Sequence, residues 1–140
     1  MESSDKKLWS DSSILKAIEN PSKEGYEIKI KIPELTFEGV RGQPDFAMLY
    51  ITFFPKGSTI ELKSLKEYFY QFRDKIFSYE RLANVIYSDI MNVYNPHRVR
   101  LVMECNARGG ISCKLTIDSD WSVRGGREEH KDWIGQSDSW

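Results

Sequence analysis

The 140-residue sequence has almost no net charge, −1 at pH 7, so no bulk electrostatic attraction to nucleic acid or to an anionic membrane is expected. No apolar run approaches the roughly 20 residues that a membrane-spanning helix needs. The polar N-terminus, MESSDKKLWSDSS, lacks the apolar core of a secretory signal. We therefore expect a cytoplasmic protein with no membrane partner and no direct binding to nucleic acid.

Cysteine and histidine are also scarce, with two residues of each. The cysteines, Cys105 and Cys113, do not make a zinc site, which usually has four ligands, so no metal is expected. Both fall in phase with the apolar face of a predicted strand, where cysteine packs as a small hydrophobic residue. This position favours a packing role over that of a reactive nucleophile.

Hydrophobic periodicity predicts the order strand, strand, helix, helix, strand, strand. Apolar residues alternate with charged ones in the first strand and recur at helical spacing in both helices. The order predicts an α+β fold, an antiparallel four-stranded sheet with two helices on one face. The predicted strands are YEIKIKIPE, AMLYITFFP, RVRLVMECN and GISCKLTID, and the predicted helices are ELKSLKEYFYQFRDKI and residues 79–94.

Composition divides the chain into three parts. Residues 1–25 are polar and predict an N-terminal extension with one short helix at Ser13–Glu19. Residues 26–118 form the single predicted domain. Residues 119–140 are polar, with tryptophans too sparse to build a core, and predict a mobile tail available to dock on a partner subunit.

One set of motifs resembles a known family. The stretch PEL…GQPDFAMLYI…P…IELKSLKEYFYQFRD…YE, followed by NARGGIS, is similar to the single-domain nitrile reductases of queuosine biosynthesis, the QueF type. The resemblance covers residues 26–117. It implies the tunnelling fold, in which the sheets of several subunits join into a barrel, and a homo-oligomer with its sites between subunits. The family reduces 7-cyano-7-deazaguanine to the aminomethyl base with two NADPH.

The resemblance also implies roles for individual residues. The general acid of the family's G-Q-P-D-F motif falls on Asp45. The residues that hold the base fall on Ile60, Glu61, Leu62, Tyr79 and Glu80. A motif associated with NADPH falls on Glu61, Leu62, Lys63, Ser64 and Lys66.

The sequence departs from the family at the nucleophile. The family's cysteine lies seven residues before the aspartate, and Glu38 occupies that position here. The nitrile mechanism needs a thiolate that adds to the nitrile carbon to form a thioimide. A carboxylate is a weak nucleophile, so Glu38 does not replace the sulfur.

This departure suggests a different substrate. Arg41 replaces a neutral threonine of the family, and a guanidinium pairs well with a carboxylate. We therefore expect a cofactor-independent lyase that decarboxylates 7-carboxy-7-deazaguanine to 7-deazaguanine. Asp45 or Glu38 would protonate the ring carbon, and crowding of the two acids would keep a proton available.

Several alternatives stay open. The chain could be an NADPH-dependent 7-cyano-7-deazaguanine reductase with another nucleophile, or a non-catalytic 7-deazaguanine-binding protein. Lys63 and Lys66 either meet NADPH phosphates or belong to a solvated helix face, with Lys63 and Glu67 paired. Tyr79 either stacks on the base or packs at an interface. Glu80 either accepts the N–H donors of the base or favours the start of a helix.

Overall fold

The computed structural model of the chain describes residues 8–120, with only the backbone described for residues 106–108. Its elements confirm the predicted order of the four long strands and two helices. Short 3₁₀ helices lie at Ser12–Ile14 and Gln71–Asp74. The main elements are β1 (Ala17–Glu19), β2 (Ile28–Glu38), β3 (Pro44–Phe54), β4 (Ser58–Ile60), α1 (Leu62–Tyr70), α2 (Tyr79–Tyr94), β5 (Arg98–Arg108) and β6 (Ile111–Asp118).

The four long strands form one antiparallel sheet in the order β2-β3-β5-β6. The β5–β6 hairpin turns at Gly109 and Gly110, whose φ angles of 59° and 86° suit the left-handed geometry of a tight hairpin turn. With α1 and α2 packed on one face, this sheet confirms the predicted α+β class.

The core lies between one face of the sheet and the two helices. Alternate residues of the strands point toward the helices, and each helix supplies an apolar stripe. Fully buried side chains of this core include Leu49, Ile51, Phe53, Val99, Leu101 and Met103 from the sheet and Leu82, Ile86 and Ile90 from α2.

A bulge in β2 changes which residues face the core. Ile32 pairs with Leu49, whereas Leu35 pairs with Ala47, so β2 has one extra residue between these pairs. The predicted inward phase of Ile28, Ile30 and Ile32 therefore ends at the bulge. Beyond it, Leu35 and Phe37 are the buried residues, each 1% exposed.

The segment before β2 packs against the domain. Instead of the predicted helix at Ser13–Glu19, the chain forms a 3₁₀ turn and then β1, which pairs with β4. That prediction is wrong because pairing with β4 satisfies the backbone of Ala17–Glu19 in an extended conformation. Leu15 is buried in the core, so part of the predicted extension contacts the domain, while the bounds 1–25 and 26–118 stay a prediction. Apart from residues 119 and 120, the predicted tail lies outside the described residues.

The two helices have clear ends. α1 stops at Tyr70 and continues only as a 3₁₀ turn, whereas α2 has the predicted bounds Tyr79–Tyr94. The Ser78 side chain accepts the Arg81 N–H at the start of α2, and Asn95 ends it at φ 44°. Within residues 8–120, neither helix combines the length and apolar character that crossing a membrane requires.

Candidate functional site

Asp45 is the buried acid of the site, with 5% of its surface exposed. It is the second residue of β3, opposite Phe37 of β2. Its Oδ1 accepts hydrogen bonds from the Phe46 N–H (3.0 Å) and from the Tyr79 hydroxyl (2.5 Å). Tyr79 is the first residue of α2, and its ring packs edge-on against Phe37. The carboxyl group of Asp45 is thus held where β3 meets the start of α2.

The turn between β2 and β3 brings a glutamine to this acid. The Gly39 N–H donates to the Gln43 carbonyl at 2.7 Å, and Gly42 turns the chain at φ 83°. A Cβ on Gly39 would lie 2.0 Å from Gln43 Nε2 and 3.3 Å from Asp45 Oδ2. Within the described residues, Gln43 Oε1 is buried and has no hydrogen-bond partner. The Gln43 amide and Asp45 Oδ2 therefore lie on the same side of Gly39, a neighbourhood that no pattern in the sequence predicts.

Glu38 faces away from Asp45. It pairs with Pro44, one position along from the Phe37–Asp45 pair, and side chains of adjacent strand positions project from opposite faces. Its backbone is fixed by hydrogen bonds from its N–H to the Lys75 carbonyl and from the Phe77 N–H to its own carbonyl, each 2.9 Å. The structure therefore does not support the predicted crowding of the Glu38 and Asp45 carboxylates.

Two thiols and a second carboxylate lie near the acid. Cys105 is buried, and its pKa is raised to about 12 by burial first, then by Cys113 and by the negative charges of Glu80 and Asp45. Glu80 is exposed in the first turn of α2. Cys113 is exposed, unlike the packed residue that the strand phase predicts. Asp45, Tyr79, Glu80 and Cys105 thus form one neighbourhood.

The remaining predicted site residues lie elsewhere in the chain. Arg41 is exposed at the tip of the β2–β3 hairpin. Ile60 is buried at the end of β4, Leu62 is 62% exposed, and Glu61 caps α1 by accepting the Ser64 N–H at 2.9 Å. Lys63 and Lys66 are exposed on α1.

The start of α1 and the Asp45 neighbourhood lie at opposite ends of α2. Burial, with a further contribution from the charge of Glu61, raises the pKa of Tyr94 to about 12, which places Glu61 near the last residue of α2. Tyr79 is the first residue of this 16-residue helix. At 1.5 Å per residue the two ends are about 22 Å apart. One subunit therefore does not bring Glu61 and Glu80 to the same small base.

A groove of about 280 Å³ lies between β2 and α1. Its apolar lining includes Leu65 and Phe69, and its basic lining is Lys31, Lys66 and Arg73, with Glu34 as the acidic residue. The Lys31 ammonium lies over the Tyr50 ring, 5.6 Å from its centroid, so Lys66 and Arg73 are the cations that could contact phosphate groups in this groove. Lys63 does not line the groove. Thr36 does line it, and Thr36 pairs with Phe46, the residue that follows Asp45.

No group of three or more histidine, cysteine, aspartate or glutamate side chains within residues 8–120 is arranged to hold a metal ion.

Comparison with known proteins identifies the family of the sequence. The family model described as QueF-like protein matches residues 44–124. A protein of Prochlorococcus marinus (strain MIT 9515) named NADPH-dependent 7-cyano-7-deazaguanine reductase is 42% identical over 115 residues, covering 81% of this chain and 84% of that protein. A protein of the same name from Thioalkalivibrio sulfidiphilus (strain HL-EbGR7) is 36% identical over 124 residues, covering 87% and 89%.

A solved structure supports the same fold. The crystal structure of the archaeosine synthase QueF-Like in the apo form superposes with a TM-score of 0.64 at 15% sequence identity, covering 69% of this chain and 96% of that chain. At this identity the likeness concerns the fold, which agrees with the expected tunnelling fold.

The comparisons correct three predictions. The predicted decarboxylation of 7-carboxy-7-deazaguanine is wrong, because the relatives that match most of the chain are named as reductases. The prediction of a lyase is wrong for the same reason. So is the prediction that no cofactor is used, since the names of these relatives specify NADPH. The structure also removes one premise of the decarboxylation, the crowding of two acids, because Glu38 points away from Asp45.

Proposed function

Because this chain belongs to the QueF-like protein family, we propose that it reduces 7-cyano-7-deazaguanine with NADPH. The observation that carries the proposal is the 36–42% identity, over most of the chain, to relatives named as this reductase. The substrate class is a small purine-like base. The buried acid, the exposed carboxylate at the start of α2 and the basic groove each supply a part of the chemistry that this reaction needs.

Reduction of a nitrile to an aminomethyl group adds two hydrides and two protons, and two NADPH are oxidised to two NADP⁺. NADPH supplies the hydrides when it is bound. The proton donor among the residues of this chain is Asp45, which Tyr79 and the Phe46 N–H hold in one orientation. We assign to Asp45 the delivery of protons to the nitrogen of the substrate.

Carboxylates are the natural partners for the base. The amino and ring N–H donors of a 7-deazaguanine edge match the two oxygens of one carboxylate. Glu80 is exposed in the first turn of α2 and near Asp45, so we assign this contact to Glu80. Tyr79, the neighbour of Glu80, remains a predicted binding residue for the base. We assign no step of this reaction to Glu38 or to Arg41.

The second predicted group, at Ile60, Glu61 and Leu62, reaches the same base only from a neighbouring subunit. The two groups lie about 22 Å apart in one chain, which supports a site built from two subunits. β2 and β6 are the edge strands of the sheet and are available to pair between subunits. We propose a homo-oligomeric barrel on this basis. A cytoplasmic location stays a prediction.

The groove between β2 and α1 is the proposed site for NADPH. Lys66 and Arg73 would bind phosphate oxygens, and the apolar side chains of Leu65 and Phe69 would contact a ring. Lys63 is exposed on the same helix but outside the groove lining, so we assign it no direct phosphate contact.

A second candidate is a protein that binds a 7-deazaguanine and does not turn it over. The glutamate at position 38 favours this second candidate, because the family pattern has its nucleophilic cysteine at that position. The thiols of the described residues are instead Cys105 and Cys113, on β5 and β6. A reductase of this composition must work through one of those thiols or without covalent capture of the nitrile.

The test mixes purified full-length protein with 7-cyano-7-deazaguanine and NADPH. We expect loss of reduced-nicotinamide absorbance, two NADPH consumed for each base, and the aminomethyl product in the mass spectrum. Asp45→Asn should lower the rate about a hundredfold or more, because it removes the proton donor. The control Glu24→Gln changes an exposed acid of the loop between β1 and β2 and should keep the rate.

The outcomes separate the two candidates. Product formation that survives full thiol alkylation supports reduction without covalent capture, and product formation that alkylation abolishes supports a relocated thiol. Calorimetric binding of the base with no oxidation of NADPH would reject the reductase and leave the binding protein. Absence of both binding and turnover would reject both candidates.

A further inference from the structure

Cys105 and Cys113 are free thiols that face each other across strands β5 and β6. We propose that this pair is a redox-sensitive modification site, at which hydrogen peroxide joins the two sulfurs into a reversible cross-strand disulfide. The inference goes beyond the proposed function and does not depend on it.

The register of the two strands places the sulfurs within bonding reach. Directly opposed residues of an antiparallel pair project from the same face of the sheet, with Cα atoms about 4.5 or 5.5 Å apart. Disulfides span Cα distances of about 4.4–6.8 Å, so both spacings are compatible with a bond. The adjacent pair shows that side chains meet in this part of the ladder, because Lys114 Nζ lies 3.5 Å from Glu104 Oε2.

The two thiols already interact in the reduced protein. Burial is the main reason that the pKa of Cys105 is raised to about 12, and the next reasons are the proximity of the Cys113 thiol and a hydrogen bond with it. A hydrogen bond between the two side chains requires that their sulfur atoms lie next to each other. Bond formation therefore needs no change of fold.

The difference in exposure sets the order of the chemical steps. Cys113 is exposed and meets the oxidant first, whereas Cys105 is buried. The Cys113 thiolate attacks one peroxide oxygen, the O–O bond breaks, and the products are a sulfenic acid and water. The Cys105 sulfur then attacks the Cys113 sulfur, so that an S–S bond forms, the S–O bond breaks and a second water leaves. In total, two thiols lose two electrons and one peroxide is reduced to two waters.

The position of the pair favours a reversible bond over a permanent one. Opposed Cβ atoms of a regular sheet lie about 4.5–5.5 Å apart, whereas a disulfide prefers about 3.8 Å, so the bond must draw the two strands together. β6 is an edge strand whose one partner in the described sheet is β5, so it shifts more easily than a central strand. Strained or exposed disulfides are readily reduced, so a thiol reductant should restore both cysteines.

Tryptic digestion gives the linked pair a distinctive mass. Cleavage after Arg100, Arg108 and Lys114 places the two cysteines in separate peptides, LVMECNAR and GGISCK. The test treats full-length protein with hydrogen peroxide, removes the oxidant, and alkylates with iodoacetamide in urea before digestion. Alkylation should fall from two labels per chain to none, and the two peptides should appear joined. Dithiothreitol added before alkylation should restore both labels.

Cys105→Ser and Cys113→Ser are matched controls, because each leaves one thiol of the same cross-strand pair. Neither variant should yield the joined peptides, and Cys113→Ser should keep its label after peroxide because Cys105 is buried. Two results for wild-type protein would overturn the proposal. One is a disulfide found only between chains, seen as a dimer on a non-reducing gel. The other is sulfinic acid at Cys113 while Cys105 still takes a label. None of these readouts needs turnover, so the proposed function can fail without affecting this test.

Discussion

Cys105 and Cys113 lie directly opposite one another across strands β5 and β6. Cys105 is buried and Cys113 is exposed. The pKa of Cys105 is raised to about 12, by burial first and next by its neighbour Cys113. The two thiols therefore form one cross-strand pair, but they differ in access to solvent.

This difference predicts unequal alkylation. At pH 8 a thiol with a pKa of about 12 is ionised to an extent on the order of one part in ten thousand, and only the thiolate reacts quickly. With iodoacetamide we expect one label on the folded protein, at Cys113, located by peptide mass spectrometry. Cys113→Ser should take no label until it is unfolded in urea. Labelling of Cys105 as fast as Cys113 would contradict the environment described for the pair.

Asp118 is the buried charge on which the end of β6 depends. It accepts two hydrogen bonds from Arg98, at 3.0 and 2.7 Å, and one from Arg100 at 3.2 Å. Asp118→Asn removes the buried carboxylate that accepts these three hydrogen bonds, so the free energy of unfolding should fall by about 3 kcal/mol. Urea titration measures the change. Glu104→Gln, which breaks the exposed Lys114–Glu104 pair at 3.5 Å, is the control and should cost less than about 1 kcal/mol.

Asp118 also makes the fold sensitive to acid. Burial alone would raise its pKa, but the hydrogen bonds from Arg98, the Asp120 N–H and Arg100, together with the charge of Arg98, outweigh burial and lower the pKa. A lowered pKa in the folded state means that the unfolded chain binds the proton more tightly. The stabilisation is therefore complete above about pH 4, the ordinary aspartate value, and is lost as the pH falls through the folded pKa.

The measurement is urea unfolding at pH 7 and at successively lower pH. Wild-type protein should lose more free energy of unfolding over this range than Asp118→Asn, which has no carboxylate to protonate. Equal losses in the two proteins would show that Asp118 does not contribute to acid sensitivity.

Much of the fold follows from local patterns in the sequence. α2 has its predicted bounds because a capping serine, an apolar stripe and the Asn95-Pro96 stop all agree. The β2 bulge could not be predicted, because the alternation that indicates a strand gives no sign of one extra residue. That extra residue changes the inward phase between Ile32 and Leu35, and so turns Glu38 away from Asp45.

The candidate site was predictable only in part. The family motif located Asp45, Tyr79 and Glu80, and the structure brings these residues together. The separation of Glu61 from Glu80 depends on the direction in which α2 crosses the sheet, which no local pattern encodes. The contact of Tyr79 with Asp45 also joins residues 34 positions apart, so only the tertiary structure could reveal it.

Gly39 has no room for a side chain on its Asp45 side. In Gly39→Ala, the new Cβ would lie 2.0 Å from Gln43 Nε2, so the flexible glutamine side chain must move. Because Asp45 Oδ2 is 3.3 Å from the same point, we expect kcat to fall by about tenfold while stability changes by less than about 1 kcal/mol. Gly57→Ala, where nothing lies within 4 Å of the added Cβ, is the control. If Gly39→Ala keeps full activity, the Gln43 side of Asp45 is not where substrate binds.

Lys66 and Lys63 offer a matched test of the NADPH groove, because both are exposed lysines of α1 and only Lys66 lines the groove. A charge-assisted hydrogen bond to phosphate contributes roughly 1.5 kcal/mol or more, so Lys66→Ala should raise the KM for NADPH by about tenfold. The KM for the base should not change, since the base site is separate. Lys63→Ala should leave both constants within about twofold of wild type. Steady-state kinetics with each substrate varied in turn measures all four values. An equal effect of the two substitutions would mean that net charge on α1 attracts the cofactor, and that the groove does not bind it.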